Sequence, residues 1–216
     1  APFKLEAFAY ATDLAPSAQM AGAVNAMKFV GDKVYAENFD GVGLLRDVVQ
    51  NLSCPLQGRR VLILGAGGAT RGALLPLLAE QPAELVIVNR TVAKAQELAA
   101  LAQQHQTGQV PVQGLGYADL QGQTFDVVLN ASSSSLSAEL PPLPASVFAP
   151  GCLAYDLTYG KGLTPFLKLA LQAGGLRRVR ALQPHKGQLG GQVVLQGLVG
   201  AVALGAPGRV IGRRQA

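Results

Sequence analysis

"VLILGAGGATRGALLPLL" (Val61–Leu78) decides how the rest of the chain is read. Val61 to Leu64 form a short apolar run of the kind a strand buried on both faces requires. The run ends at Gly65, and a stretch rich in Ala and Leu with helical character follows directly. In a strand–turn–helix of this kind, Gly65 makes the tight turn. Gly67 and Gly68 let the backbone approach a pyrophosphate, and the helix N-terminus meets its charge. The third glycine of the usual G-x-G-x-x-G spacing falls at Thr70, so Ala69 and Gly72 are expected to supply the close packing instead. Taken alone, the loop fits a glycine turn without a ligand equally well.

The next strand narrows the choice. "ELVIVNRT" (Glu84–Thr91) ends in Asn89 and Arg90, where an NAD-binding protein usually places an acid for the ribose hydroxyls. Arg90 can pair with a 2′-phosphate through its fork of donors and stack on adenine. Thr91 can cap the following helix and donate to the same phosphate, and Lys94 adds a second charge one turn on. Solvated basic residues beside a capping Thr are the plainer reading. Loop and basic pair together, at this separation, favour NADP(H) over it.

Outward from this pair, strands alternate with helices. "ATRGALLPLLAEQ" and "TVAKAQELAALAQQ" read as helices, and "VPVQGL", "FDVVLNAS" and "CLAYDLTY" read as strands. Such alternation means βαβ units and a parallel sheet. Upstream, Glu6 to Ala15 has helical spacing. Gly22–Val30 and Lys33–Asn38 read as strands joined by a Gly31-Asp32 turn, and Asp40–Leu52 reads as a helix. The expected class is α/β: a Rossmann-type parallel-sheet domain over residues 56–176, and a partial second α/β substrate domain over residues 1–55. The break between them falls near Leu52–Arg59, and residues 177–216 form an atypical C-terminal segment that returns to the first domain.

Composition agrees with a folded core. Of 216 residues, 49% are hydrophobic and 14% charged, which excludes a disordered chain. No apolar run reaches the ~18 residues of a membrane span. Cys54 and Cys152 lack metal-ligand spacing and read as reduced thiols of a cytoplasmic protein, with no metal expected. The net charge of +5 is unevenly spread: residues 1–160 hold 9 Lys/Arg and 13 Asp/Glu, while residues 161–216 hold 9 Lys/Arg and no acid. The basic end has little aromatic interleaving and no nucleic-acid motif, so a small-molecule substrate is expected rather than a nucleic acid.

Seven segments, in order, resemble the shikimate dehydrogenase family: "PFKLEAF", "AGAVNAMK", "ENFDGVGLLRD", "GAGGATRGALLPL", "NRTVAKAQEL", "NASSSSL" and "YDLTYGKGLTPFL". The resemblance covers residues 2 to 176. It implies NADPH-dependent reduction of 3-dehydroshikimate to shikimate, in aromatic amino acid biosynthesis. It implies that Lys4 is the catalytic lysine and Asp40 its acidic partner, and that Asn25 and Tyr159 bind substrate. It also implies that Gly65, Ala66, Gly67, Gly68 and Ala69 bind the pyrophosphate, and that Asn89, Arg90, Thr91 and Lys94 clamp the adenosine phosphate. Asn130, Ala131, Ser132 and Leu157 then line the cofactor.

The chemistry fits these residue types. Ketone reduction needs a hydride on carbon and a proton on oxygen, and a Lys4–Asp40 pair can supply the proton. Asp40 can also cap the following helix, and Asn25 can instead satisfy a buried backbone group. Three departures from the family pattern stand out. A substrate-binding S-x-S segment is expected before Ala1, so the chain is expected to start inside its first domain. Phe39 and Ala26 replace threonines. The family's C-terminal motif is not found. These departures lead to the expectation that the chain binds NADPH but reduces 3-dehydroshikimate poorly. A truncated NADP(H)-binding homologue and a quinate-accepting relative are the alternative readings. Apolar strand edges left by the missing segment are expected to make the chain associate, with a homodimer as one expected form.

Overall fold

A computed structural model describes residues 3–132, 139–159, 163–173 and 178–182. Ala1 and Pro2 lie outside the described residues. The elements run α1 (Lys4–Tyr10), β1 (Asp13–Leu14), α2 (Pro16–Ala21), β2 (Ala26–Val30), β3 (Lys33–Glu37), α3 (Asp40–Arg46), β4 (Arg60–Leu64), α4 (Gly68–Ala79), β5 (Glu84–Val88) and α5 (Val92–His105). They continue as β6 (Val112–Leu115), β7 (Phe125–Asn130), β8 (Phe148–Tyr159), α6 (Pro165–Gln172) and β9 (Arg178–Leu182). Among the described residues, no helix is long and apolar enough to cross a membrane.

Two sheets form. The larger has the order β6-β5-β4-β7-β8-β9 and is parallel throughout. Its side chains alternate between two cores. Val61, Ile63, Leu85, Ile87, Val127 and Leu129 pack with α3, α4 and α5. Leu62, Leu64, Val86, Val88, Val128 and Ala154 pack with Phe166, Leu167 and Ala170 of α6. A strand covered on both faces must be apolar at every position, which is why "VLIL" and "LVIV" are unbroken. Each large side chain buried this way contributes about 1.5–3 kcal/mol. The order of strand addition reverses at β4: the chain winds outward to β5 and β6, then crosses back to place β7 on the other side of β4. In such sheets the ligand crevice opens outside the strand ends at that point.

The smaller sheet has the order β1-β3-β2, with β2 and β3 antiparallel and β1 parallel to β3. Its core is small, built on Ala7, Ala18, Val24 and Ala36. The β2–β3 hairpin turns at Gly31-Asp32 as expected, with Val30 opposite Lys33.

Several elements differ from the sequence reading. The helix expected over Glu6–Ala15 ends at Tyr10, because Ala11 and Ala15 are extended and Pro16 starts a second helix. The strand expected from Gly22 begins at Ala26, since Gly22 instead ends α2 with φ +62°. The Asp40–Leu52 helix is α-helical only to Arg46 and continues as a π-turn over Asp47–Asn51. There the buried Asp47 accepts hydrogen bonds from Asn51 Nδ2 (2.7 Å) and the Tyr155 hydroxyl (2.9 Å). The residues of α6 were not read as a helix, although Thr164 caps it and Pro165 opens it. Arg178–Leu182, inside the stretch set apart as atypical, forms β9 and pairs parallel with β8. The rest of that stretch, 177 and 183–216, lies outside the described residues. Cys54 and Cys152 are both reduced. Burial pushes the Cys152 thiol up to about 12, so it stays protonated.

Candidate functional site

The loop after β4 is held from several sides. Gly65 N donates to Val88 O (2.7 Å), and Ala131 N donates to Leu64 O (2.9 Å). Gly65 has φ +98°, and a Cβ there would stand 3.0 Å from Ser132 Cα, so only glycine fits. Thr70, in the slot of the missing third glycine, is fully buried, and its hydroxyl donates to Gly65 O (2.6 Å). Ala69 is exposed in the first turn of α4 and does not supply the packing expected of it. Nor does Gly72, where a Cβ would meet Ala21 Cβ at an ordinary 3.5 Å; the close approach rests on Gly41 of α3, where a Cβ would lie 2.1 Å from Gly72 O. The first intrahelical bond of α4 runs from Arg71 N to Gly67 O (3.0 Å), so the amides of Gly68, Ala69 and Thr70 have no acceptor within the helix.

A cleft of about 640 Å³ opens at this point, at the reversal between β4 and β7. Gly65, Ala66 and Gly67 form one wall, Ala131 and Ser132 another, and Asn89, Arg90, Thr91 and Lys94 a third. Tyr117 and Glu139 to Pro142 complete it. Gly68 and Ala69 stand beside the cleft at the helix start, while Asn130 and Leu157 do not line it. Arg90 and Lys94 are exposed and form no ion pair among the described residues. Thr91 occupies the N-cap position of α5 without a side-chain capping bond, and Asn89 Nδ2 donates to Thr91 O (3.0 Å). Thr91 therefore does not cap in the way expected, and its hydroxyl is left for the cleft. Burial pushes the Tyr117 phenol above its ordinary value, with Arg90 acting in the other direction.

A second cluster forms where α1, the β2–β3 hairpin and α3 meet. Lys4 Nζ donates to Asp40 Oδ2 in a short, partly buried ion pair. Asn25 is 2% exposed: its Nδ2 donates to Asp40 Oδ1 (2.8 Å) and its Oδ1 accepts from Phe39 N (3.0 Å). Asp40 is the first residue of α3 and does not cap it. Its own amide donates to Asn38 Oδ1 (3.0 Å), and Asn38 Nδ2 donates to Ala23 O (3.0 Å). The N-cap position is Phe39, with no side-chain cap, and Asn38 instead satisfies the amide of Asp40 at the helix start. Phe39 is 45% exposed, and its amide joins the cluster. These residues do not line the cleft, but α3 brings Asp40 beside α4 through the Gly41–Gly72 approach.

A third group joins Asp156, which the sequence reading left out, to Asn130, which it named. Asp156 on β8 and Asn130 on β7 are register partners, and both are 0% exposed. Leu157 packs against the core shared with α3 and α4. Tyr159 ends β8 opposite Leu182, and its side chain lies outside the described residues. Tyr117 sits outside the quoted motifs, and Asp156 lies within "YDLTYGKGLTPFL" but was given no role there. The turn signal after β6 could have pointed to Tyr117, and the acid among apolar β8 residues to Asp156.

Residues 47–138 match the family described as Shikimate / quinate 5-dehydrogenase. The chain is 55% identical over 169 residues to a shikimate dehydrogenase (NADP(+)) of Chromobacterium violaceum, covering 78% of this chain and 60% of that protein. The crystal structure of an Ael1 enzyme from Pseudomonas putida matches with a TM-score of 0.76 and 54% identity, over 84% of this chain and 64% of that one. A shikimate 5-dehydrogenase from Thermus thermophilus, in complex with NADP(H) and shikimate, matches with a TM-score of 0.66 and 28% identity, over 82% and 63%. The chain thus spans less than two thirds of the length of these relatives.

Proposed function

Since the chain belongs to the shikimate / quinate 5-dehydrogenase family, we propose that it carries the NADP(H) site and the proton-donating pair of an enzyme reducing 3-dehydroshikimate to shikimate. The observation that carries this reading is the Lys4–Asp40 ion pair standing beside α4, the helix that opens the cleft. The relatives' printed activity supports the dehydrogenase over a bare NADP(H)-binding homologue.

The cleft fits a 2′-phosphorylated dinucleotide. Cβ atoms on Gly67 and Gly68 would meet nothing within 4 Å, so the backbone there lies open to a pyrophosphate, and the amides opening α4 face it. Arg90 and Lys94, uncommitted to any acid among the described residues, suit the 2′-phosphate. When bound, NADPH supplies the hydride. Lys4 holds the proton that goes to the substrate oxygen. Asp40 keeps Lys4 charged and aimed, and Asn25 fixes Asp40 through Oδ1. One Nδ2 hydrogen of Asn25 is left over by these bonds and is the group it offers to substrate. Tyr159, at the end of β8, completes the substrate side of this reading.

In the same reading, residues 1–55 serve the substrate and 56–176 the cofactor. The enzyme is cytoplasmic and dimeric; exposed Phe29, Val30 and Tyr35 on the hairpin favour association. A steady-state assay with NADPH and 3-dehydroshikimate tests the core of it. Lys4→Ala should lower kcat by roughly 10²–10⁴-fold, the usual range for a general acid, with NADPH affinity unchanged. Turnover indifferent to Lys4 would sink the proposal.

A further inference from the structure

We propose that Asp156 is a positioning residue for the cleft wall formed by Ala131 and Ser132, an inference that rests on the NADP(H) reading. Asp156 is 0% exposed and receives donors on both oxygens. Thr158 N donates to Oδ1 (2.9 Å), while the Thr164 hydroxyl (2.6 Å) and Asn130 Nδ2 (3.2 Å) donate to Oδ2. A carboxylate accepts on every lone pair, so it matches this ring of donors as an amide does not.

The bond to Asn130 sets which way that amide faces. With Nδ2 committed to Asp156, Oδ1 turns to Ser132 and accepts both its amide (3.2 Å) and its hydroxyl (2.6 Å). Ser132 is thereby held against the Gly65 turn, where a Cβ would stand 3.1 Å from Ser132 N. Gly65 and Ser132 both line the cleft. A chain of hydrogen bonds therefore runs from a carboxylate under β8, across β7, to the wall that a dinucleotide would touch. Thr164 also accepts from Leu167 N (3.3 Å), so the same carboxylate ties α6 to the strand end. In so buried a setting a mismatched donor is costly, because no water can relieve it.

Asp156→Asn cannot keep this arrangement. An NH2 turned toward Thr158 opposes a backbone N–H that cannot reverse. Turned toward β7, it forces Asn130 to flip and to present Nδ2 to the Ser132 amide. The test titrates the purified protein with NADPH and with adenosine 2′,5′-bisphosphate, which engages the Arg90 side of the cleft. In Asp156→Asn, NADPH affinity should fall about tenfold, the equivalent of one lost charged hydrogen bond, while the bisphosphate stays within about twofold. The reciprocal exchange, Asn130→Asp with Asp156→Asn, restores an acceptor facing Ser132 and should bring NADPH back to within about threefold of the parent. Equal losses for both ligands, or no loss for NADPH, would overturn the inference. If Asp156→Asn does not fold, Thr164→Val against Thr164→Ser decides. Only the Val variant should weaken NADPH, by about threefold, again without affecting the bisphosphate; no such selectivity overturns the inference as well. A parent protein that binds no NADPH overturns the NADP(H) reading and this inference with it. NADPH binding insensitive to these changes overturns this inference alone.

Discussion

The nucleotide cleft and the Lys4 cluster are built in opposite ways. The cleft is assembled from backbone and open groups: a glycine turn, amides at the start of α4, and two cations with no acid partner among the described residues. The cluster is assembled from side chains that already satisfy one another, with Lys4, Asn25, Asn38 and Asp40 in one hydrogen-bonded set. A site that must grip a large anion keeps its donors unspent. A site that must place one proton spends its hydrogen bonds on orientation.

Removing the centre of the cluster breaks that contrast most sharply. Asp40→Ala leaves Lys4 and Asn25 without their shared acceptor, and kcat should fall by about 10²–10⁴-fold, while calorimetric NADPH affinity changes less than about twofold. Gly41→Ala attacks the join between the two regions. Its Cβ would sit 2.1 Å from Gly72 O, and overpacking of this kind costs about 3 kcal/mol, read as a lowered urea midpoint. Arg90→Ala affects the cleft alone. NADPH should weaken tenfold to a hundredfold, about 1.5–3 kcal/mol for a charge-assisted contact, and NADH far less; equal losses would show that Arg90 does not read the phosphate. Thr70→Val is the mildest. It removes one neutral bond to Gly65 O, worth about 1 kcal/mol, and should loosen binding of both cofactors about fivefold with kcat intact.

The same contrast explains what was legible beforehand. The cleft is written in contiguous stretches, Gly65 to Thr70 and Asn89 to Lys94, whose geometry is fixed by their own backbone. The alternating strands around them were readable because burial on both faces forces unbroken apolar runs. The cluster draws on four separated positions, and only a resemblance to other sequences joined Lys4 to Asp40. The role of Asn38 was not legible because it depends on Asp40 N reaching Oδ1 at a helix start that Asp40 itself was expected to cap. Asp156 stood out only as an acid among apolar residues, and its role was not legible because its partners Asn130 and Thr164 arrive through parallel pairing and a later helix start. The π-turn at Asp47–Asn51 leaves no mark in hydrophobic spacing, since Leu44, Val48 and Leu52 remain at intervals an α-helix would also bury.

Cys152 gives the molecule a built-in clock. Thiol reagents attack the thiolate, and burial pushes the Cys152 thiol up to about 12, which keeps it protonated and unreactive in the native protein. The side chain is fully enclosed in the core that includes α6, while Cys54 is half-buried against the other core. Alkylation should therefore proceed in two stages, with Cys54 modified in the native protein and Cys152 only when the α6 layer lifts from the sheet. The second rate reports how often that layer opens, and mass spectrometry can follow it without ligand, denaturant or an introduced label.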